Sequence, residues 1–195
     1  MSLRDQHSAL TRQAVLAAAR RLFAEQGYAS TAVRPIAEEA GVAVQTLYSA
    51  FGSKQGVLIA LVDTIREQTD APAIWARISQ SGDPEEIVRL AAHVRRQILE
   101  RCGDIVVTFR EGAAGDADVA ASYEEGQIRS REGITRMCNR LSELGVPLDP
   151  ERAVSEVAAL FSAEIYEELA GHRSGWSADE YEDWLAQRLR DVLLA

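Results

Sequence analysis

The sequence predicts an all-α protein, and three observations lead to that prediction. Apolar residues recur every three or four positions over most of the 195 residues, as they do on one face of a helix. A glycine follows the end of several of these stretches, as is typical of a helix C-terminus, and Gly27, Gly41 and Gly145 are examples. Alternating strand patterns are essentially absent, and the one candidate strand, residues 105–109, is equally well interpreted as a buried helix.

The N-terminal third of the chain contains four predicted helices. The first has an apolar face that begins at Val15 and ends at Gly27. The second follows Thr31 as its N-cap and closes at Gly41. The third and fourth are predicted over residues 44–51 and from residue 54 to about residue 69.

The remainder is also predicted to be helical, beyond a boundary at residues 70–72. Its helices begin where an Asp or Ser cap precedes a periodic apolar stretch. They are predicted over residues 84–102, 116–144, 150–170 and 178–194. We therefore place one domain at residues 1–56, a linking helix at 54–69 and a larger domain at 70–195.

Composition places the chain in the ordinary globular class. It is 47% apolar and 26% charged, which excludes disordered and collagen-like chains. No apolar stretch approaches the roughly 20 residues that span a bilayer. Residues 1–20 also lack a signal-peptide core, so we expect a soluble, cytoplasmic protein with no membrane partner. Two cysteines, Cys102 and Cys138, are too few for a disulfide framework or a zinc cluster.

Charge is distributed unevenly along the chain. Residues 1–56 carry a net charge of +2, and the rest of the chain carries −11. A weakly basic segment beside a strongly acidic one suggests two different tasks, and the basic segment is the one suited to a negatively charged partner.

The spacing of Ala37, Gly41 and Leu47 indicates a helix-turn-helix. Two short helices that cross at close range need a small residue at their contact, which Ala37 supplies. The turn needs a residue with positive φ, which Gly41 adopts without a Cβ penalty, and Leu47 is the apolar plug of the second helix. An ordinary helical hairpin would show the same residues by coincidence, so the spacing alone leaves both interpretations open.

A longer set of residues resembles a known family. The stretch from Ala14 to Leu61 resembles the DNA-binding domain of the TetR family of bacterial transcriptional regulators. It covers about a quarter of the chain, and residues 73–195 match nothing by motif. The matching positions include Leu22, Phe23, Gly27, Tyr28, Thr31, Val33, Ile36, Ala37, Ala40, Gly41, Val42, Thr46, Leu47, Tyr48, Phe51, Ser53 and Lys54.

The resemblance implies that residues 44–50 form a recognition helix in the major groove of DNA. The implied contacts to base edges are Gln45, Thr46, Ser49 and Arg34, and the implied contacts to phosphates are Thr31, Tyr48 and Lys54. Two residues depart from a well-capped pattern. Ala43 offers no oxygen to cap the recognition helix, and Pro35 would remove the first hydrogen bond of the second helix if Thr31 is its cap.

The resemblance also implies a homodimer, because a palindromic operator is bound by two DNA-binding domains related by a two-fold axis. The implied interface is formed by the helices at about residues 150–170 and 178–194. Their apolar faces carry Phe161, Ile165, Trp184, Leu185 and Leu189. The alternative is that these faces pack only within the chain.

A small-molecule effector is implied as well, bound in the larger helical domain. The candidate pocket residues are Trp75, His93, Ile98, Phe109, Arg110, Tyr123, Met137, Phe161 and Glu164. For each of them, an ordinary place in the core is an alternative. The sequence does not identify the effector.

We also considered an enzyme, a ligand-binding helical protein with a vestigial DNA-binding domain, and a DNA-organising dimer that responds to no small molecule. The chain has no G-x-S-x-G, H-E-x-x-H or C-x-x-C motif and no phosphate-binding glycine loop. Its three histidines lie far apart in sequence, so we expect no catalytic residues, no metal and no cofactor. The sequence therefore favours a DNA-binding transcriptional regulator, most simply a repressor that an effector releases from its operator.

Overall fold

A computed structural model describes residues 3–171 and 174–194 of the chain. The described residues form helices and connecting turns, without strands. The helices are α1 (Leu3–Gln26), α2 (Val33–Glu39), α3 (Val44–Phe51), α4 (Lys54–Asp63), α5 (Ile65–Gln68), α6 (Ala71–Gln80), α7 (Pro84–Ala113), α8 (Ala117–Glu143), α9 (Pro150–Leu160), α10 (Ala163–Ala170) and α11 (Ala178–Leu193). The all-α prediction is confirmed.

The helices divide between two compact units. The first unit comprises Met1–Ile65 together with Asp104–Glu124, and the second comprises Arg66–Gly103 together with Glu125–Ala195. The segment 104–124 contains the end of α7 and the start of α8. The sequence had placed this segment in the larger domain, whereas in the structure it packs with the N-terminal helices.

The first unit is built on α1, whose inward face is almost fully buried. Val15 and Ala19 have no exposed surface, and Leu22 and Phe23 are at most 5% exposed. These residues lie three or four positions apart, so they form one stripe along α1. Burial of each large side chain of this kind stabilises the unit by roughly 1.5–3 kcal/mol.

Two contacts hold the segment 104–124 in the first unit. The guanidinium of Arg20 donates two hydrogen bonds to the Asp104 carboxylate, at 2.6 and 2.7 Å. Gly112 lies so close to its neighbours that a Cβ placed on it would be 3.0 Å from Leu58 Cδ2 and 3.2 Å from Tyr28 Cδ1. A side chain at residue 112 would therefore push α7 away from α4 and from the turn after α1.

The second unit is organised around α11. Tyr181, Leu185 and Leu189 repeat every four residues along this helix and have no exposed surface. Ser177 and Glu180 form a capping box at its start, and Asp149 caps α9, in agreement with the Ser and Asp caps that the sequence predicts. Among the described residues, no helix is both long and apolar enough to cross a membrane.

Three predicted helices differ from the structure in continuity. The helix predicted over 54–69 is interrupted at Thr64, and the one predicted over 150–170 is interrupted at Phe161 and Ser162. Ser162 caps α10 by accepting a hydrogen bond from the Ile165 amide at 3.2 Å. The helix that begins at residue 84 continues to Ala113, with a kink at Cys102 where φ is −135°. Residues 105–109 are therefore helical, and α6 is a helix that the sequence analysis did not assign.

Candidate nucleic-acid interface

α2 and α3 form the predicted helix-turn-helix. Gly41 has a φ of +68°, the left-handed conformation that the spacing predicted for it. The Val42 amide donates to the Ala37 carbonyl at 3.0 Å, which closes the turn against the end of α2. Ala37 and Leu47 are fully buried. The small residue, the turn glycine and the apolar plug therefore all occupy the places that a helix-turn-helix requires.

α3 is buried on one side only. Leu47 has no exposed surface, whereas Gln45, Thr46, Tyr48 and Ser49 are exposed. The Ser49 hydroxyl donates to the Gln45 carbonyl at 2.8 Å, so its oxygen is held near the helix backbone and still faces outward. Helix α3 thus presents amide, hydroxyl and phenol groups, which are the kinds of donor and acceptor that read base edges and phosphates.

The start of α3 is capped by Ala43 in an extended conformation, without a side-chain hydrogen bond. This outcome was predicted, because alanine has no oxygen to offer. Val44 follows it and is 36% exposed, so it adds an apolar contact at the edge of the polar face.

Arg34 lies on α2 and is largely exposed. Its guanidinium is paired with Glu38 on the same helix at 2.7 Å, and the side chains are 81% and 61% exposed. An exposed pair of this kind contributes little to stability, so the guanidinium can exchange Glu38 for another acceptor.

Thr31 does not occupy the place expected for it. Its side chain is only 1% exposed, and its hydroxyl donates to the Gly27 carbonyl at 2.8 Å. Ala32, not Thr31, is the N-cap of α2, so the capping role predicted for Thr31 is wrong. With Ala32 as the cap, Pro35 falls at the third helical position, where no amide has an intrahelical acceptor. Pro35 therefore removes no hydrogen bond from α2.

Lys54 begins α4 and is half-buried. Its ammonium donates to the carbonyl oxygens of Tyr28 at 2.8 Å and Thr31 at 3.1 Å, and it lies 3.5 Å from that of Ala29. It also lies 4.2 Å from the centre of the Tyr28 ring. The desolvation of the ammonium lowers the pKa of Lys54. The phosphate contact expected for Lys54 stays a prediction.

The predicted effector residues divide between the two units. Phe109, Arg110 and Tyr123 belong to the first unit, where the rings of Phe109 and Tyr123 meet edge to face at 5.5 Å. The other six belong to the second unit: Trp75, His93, Ile98, Met137, Phe161 and Glu164. A shallow depression in the first unit, too small to enclose a water molecule, is lined by none of the nine candidates.

Three of the effector candidates in the second unit have well-defined surroundings. His93 Nδ1 lies 3.0 Å from a carboxylate oxygen of Glu182, and the Arg95 guanidinium lies 5.7 Å from the centre of the Phe161 ring. Met137 is 1% exposed. These contacts fit core and surface residues as well as they fit a pocket, so the effector site stays a prediction.

Sequence reasoning missed the residues that tie the interface to the rest of the first unit. Arg21 on α1 is paired with both Glu25 and Glu39, which links α1 to α2. Arg20 and Asp104 are 84 positions apart, and Arg12 lies 4.8 Å from the centre of the Phe51 ring. Arg21–Glu25 has the i,i+4 spacing of a pair within one helix. No local pattern marks the other pairs, because each depends on how separate helices pack.

Comparison with known proteins extends these findings. The model of the family described as bacterial regulatory proteins, tetR family, matches residues 15–61. The HTH-type transcriptional regulator EthR of Mycolicibacterium smegmatis is 34% identical over 76 residues, which are 39% of this chain and 35% of EthR. The chain therefore matches about a third of the length of that relative.

Solved structures match over most of the chain. The fatty acid degradation regulator FadR of Bacillus halodurans has a TM-score of 0.77 at 21% identity, covering 92% of this chain and 94% of FadR. A SmeT–triclosan complex has a TM-score of 0.73 at 18% identity, covering 95% of this chain and 92% of SmeT. At these identities the likeness shows the fold alone.

The turn at Gly41, the buried Leu47 and the exposed side of α3 define a helix-turn-helix protein with a further helical unit. Residues 15–61 match the TetR family of bacterial regulatory proteins, and the chain as a whole shares the fold of a solved TetR-family structure from Mesorhizobium loti.

Proposed function

We propose that this protein is a transcriptional regulator that binds a palindromic DNA operator as a homodimer and represses transcription. The observation that carries the proposal is the one-sided burial of α3, in which Leu47 anchors the helix and the polar side chains face outward. A helix of this kind fits the major groove, which is about 12 Å wide.

Each exposed polar side chain of the interface has a task in the proposal. Gln45 pairs with an adenine through its two-pronged amide, and Thr46 and Ser49 contact neighbouring base edges. Arg34 releases Glu38 and reaches a base or the backbone. Tyr48, 43% exposed, donates its phenol to a phosphate.

The distribution of charge supports an orientation in which α2 and α3 face the DNA. The net charge of +2 lies in residues 1–56, which contain α2 and α3, whereas the remaining residues carry −11. Salt at physiological strength screens charges beyond about 8 Å. The basic surface therefore acts on DNA locally, and the acidic residues limit nonspecific binding elsewhere.

The proposed dimer uses the outer sides of α10 and α11. Phe161, Leu185 and Leu189 were expected at the interface, but they are at most 6% exposed within the single chain and form part of its core. Of the five apolar residues expected at the interface, Ile165 and Trp184 remain partly exposed and are available to a partner copy.

We further propose that a small molecule bound in the second unit releases the protein from DNA. The SmeT–triclosan complex is a structure of this fold with a small molecule bound, and its likeness to this chain motivates the proposal. The candidate contacts in this unit are Trp75, His93, Ile98, Met137, Phe161 and Glu164.

The test is selection of bound duplexes from a random DNA pool by the purified protein at roughly physiological salt. We expect enrichment of an inverted repeat whose half-sites are spaced to match two recognition helices. A matched variant, Gln45→Ala combined with Tyr48→Ala, changes only exposed side chains and should enrich no repeat.

Failure of the folded protein to enrich any sequence would contradict the proposal. A ligand-binding helical protein or an enzyme with a vestigial DNA-binding head would then be the better interpretation. Turnover of a bound small molecule would distinguish the enzyme from the binding protein.

A further inference from the structure

The ammonium of Lys54 is surrounded by groups of its own chain. The carbonyl oxygens of Tyr28 and Thr31 accept hydrogen bonds from it at 2.8 and 3.1 Å, and the Ala29 carbonyl oxygen lies at 3.5 Å. The Tyr28 ring covers another side at 4.2 Å. An ammonium has three donor hydrogens, so these acceptors leave little capacity for a phosphate.

These acceptors all belong to one short connection, residues 27–32 between α1 and α2. Within it the Thr31 amide donates to the Tyr28 carbonyl at 3.3 Å, and the same carbonyl accepts from Lys54. The Thr31 hydroxyl anchors the other side of the connection on the Gly27 carbonyl. Lys54 therefore closes a turn that sets where α2 begins.

Two further observations favour a structural task for this ammonium. Lys54 is the first residue of α4, where the helix dipole disfavours a positive charge, so local acceptors must compensate for its position. Lys54 is also the only lysine among 21 basic residues, the others being arginines. A compact ammonium fits converging carbonyl oxygens, whereas a planar guanidinium is the better phosphate ligand.

We propose that Lys54 is a positioning residue: its ammonium holds the α1–α2 connection in place, and it supports DNA binding through that connection instead of by neutralising a phosphate. The part of this inference that concerns DNA rests on the proposed function. The part that concerns the connection does not.

The first experiment needs no DNA. Hydrogen exchange of the Thr31 amide is measured in the full chain for the wild type, Lys54→Met and Lys54→Arg, with the Val42 amide in the turn before α3 as internal reference. We expect both variants to speed exchange at Thr31 on the order of tenfold, because charged hydrogen bonds to the turn are lost, and to leave Val42 unchanged. Unchanged exchange at Thr31 in both variants would overturn the proposal.

The second experiment measures affinity for the duplex enriched in the selection above, as a function of salt. If Lys54 is a positioning residue, Lys54→Met and Lys54→Arg should weaken binding by similar factors and leave the slope of log K against log salt unchanged. If Lys54 binds a phosphate, Lys54→Arg should have wild-type affinity, and Lys54→Met should have a slope of log K against log salt that is shallower by about one. That second pattern would overturn the proposal.

Arg12→Met is the matched control. Arg12 is exposed on α1 and, like Lys54, lies over an aromatic ring, in this case Phe51 at 4.8 Å. The variant removes one positive charge from the first unit without touching residues 27–32. It should leave exchange at Thr31 unchanged, and its salt slope reports the effect of losing one charge near the interface. If no duplex binds the wild type, the proposed function fails, and the exchange experiment still decides the role of Lys54.

Discussion

Gln45 is the side chain of α3 whose chemistry is best suited to choosing a base. Its amide is exposed and presents a donor and an acceptor together, which match the major-groove edge of adenine. We expect Gln45→Ala to relax the preference at one position of each half-site, costing about 1–3 kcal/mol for the preferred base only. Repeating the selection with the variant measures this directly.

A matched control for that prediction is Gln26→Ala, which makes the same change at an exposed glutamine at the end of α1. It should leave the selected sequence unchanged. If Gln45→Ala weakens binding equally at all bases, Gln45 positions the helix and does not read sequence.

The buried hydroxyl of Thr31 leads to a prediction about stability. This hydroxyl bonds the Gly27 carbonyl, and Thr31→Val removes that bond while keeping the shape of the side chain. We expect a loss of about 1–2 kcal/mol in the free energy of unfolding measured with urea, because the Gly27 carbonyl loses its buried donor. Thr31→Ser keeps the hydroxyl and should recover most of the loss. Equal stability of Thr31→Val and the wild type would contradict the burial argument.

At the scale of helices, Gly112 tests how closely α7 packs in the first unit. An added Cβ would meet Leu58, Tyr28 and Val119 at 3.0–3.2 Å, and all three are buried with little room to move. We expect Gly112→Ala to destabilise the protein by about 1–3 kcal/mol, since overpacking outweighs the helical preference of alanine. Urea unfolding measures the change.

Gly133→Ala is the control for that prediction. It is also a glycine inside a helix, but an added Cβ would meet Trp75 only at an ordinary 3.8 Å. It should be neutral or stabilising by up to about 1 kcal/mol. A result in which both variants behave alike would show that backbone preference, not packing, sets the effect.

Helix ends were predictable from the sequence, and helix interruptions were not. Glycine closes α1 at Gly27 and α8 at Gly145, where φ is positive, and both were predicted because a local residue preference decides them. The breaks at Thr64 and Ser162 fall inside continuous apolar patterns, whereas the kink at Cys102 falls where the sequence predicts the end of a helix. They depend on packing between helices, which periodicity does not record.

In the candidate nucleic-acid interface too, some features were predictable from the sequence and others were not. The exposed side of α3 was predictable, because the apolar plug Leu47 fixes which residues face outward. The partners of Thr31 and Lys54 were not, because they lie on backbone carbonyls that the fold brings together. Residue type alone suggested a free hydroxyl and a free ammonium, and both groups proved to be engaged.

At the scale of the whole molecule, ion pairs of the second unit predict a loss of stability in acid. Hydrogen bonds from Arg190 lower the pKa of Glu85, and hydrogen bonds from Ser81 and Arg77 lower that of Glu86. A carboxyl whose folded pKa is below its unfolded value of about 4.3 stabilises the fold above that pH. The contribution is lost as pH falls through the folded pKa.

We therefore expect the urea concentration at the midpoint of unfolding to decrease as the pH is lowered from about 5 to about 3. The variant Glu85→Gln cannot gain that proton, so its midpoint should depend less on pH over the same range. Glu124→Gln, a change at an exposed glutamate outside the second unit, is the control and should follow the wild type. A midpoint that rises on acidification would contradict the assignment.

The proposed dimer gives a prediction about assembly. Ile165 on α10 is partly exposed, and a charge there would be buried without a partner if two copies pack through this helix. We expect Ile165→Glu to sediment as a monomer where the wild type sediments as a dimer. Ile128→Glu places the same charge at an isoleucine of α8 that is 53% exposed, outside the predicted interface, and should remain dimeric. Dimers in both variants would place the interface elsewhere.

Neither unit of this protein is a continuous stretch of chain. α7 begins in the second unit and ends in the first, and α8 returns the chain to the second. A fragment cut after residue 65 would lack Asp104 and Gly112, and with them the partner of Arg20 and part of the packing around Leu58. The unit that contains the helix-turn-helix is therefore not a segment that recombination could exchange between relatives as one block. A viable chimera must inherit residues 104–124 along with the helix-turn-helix.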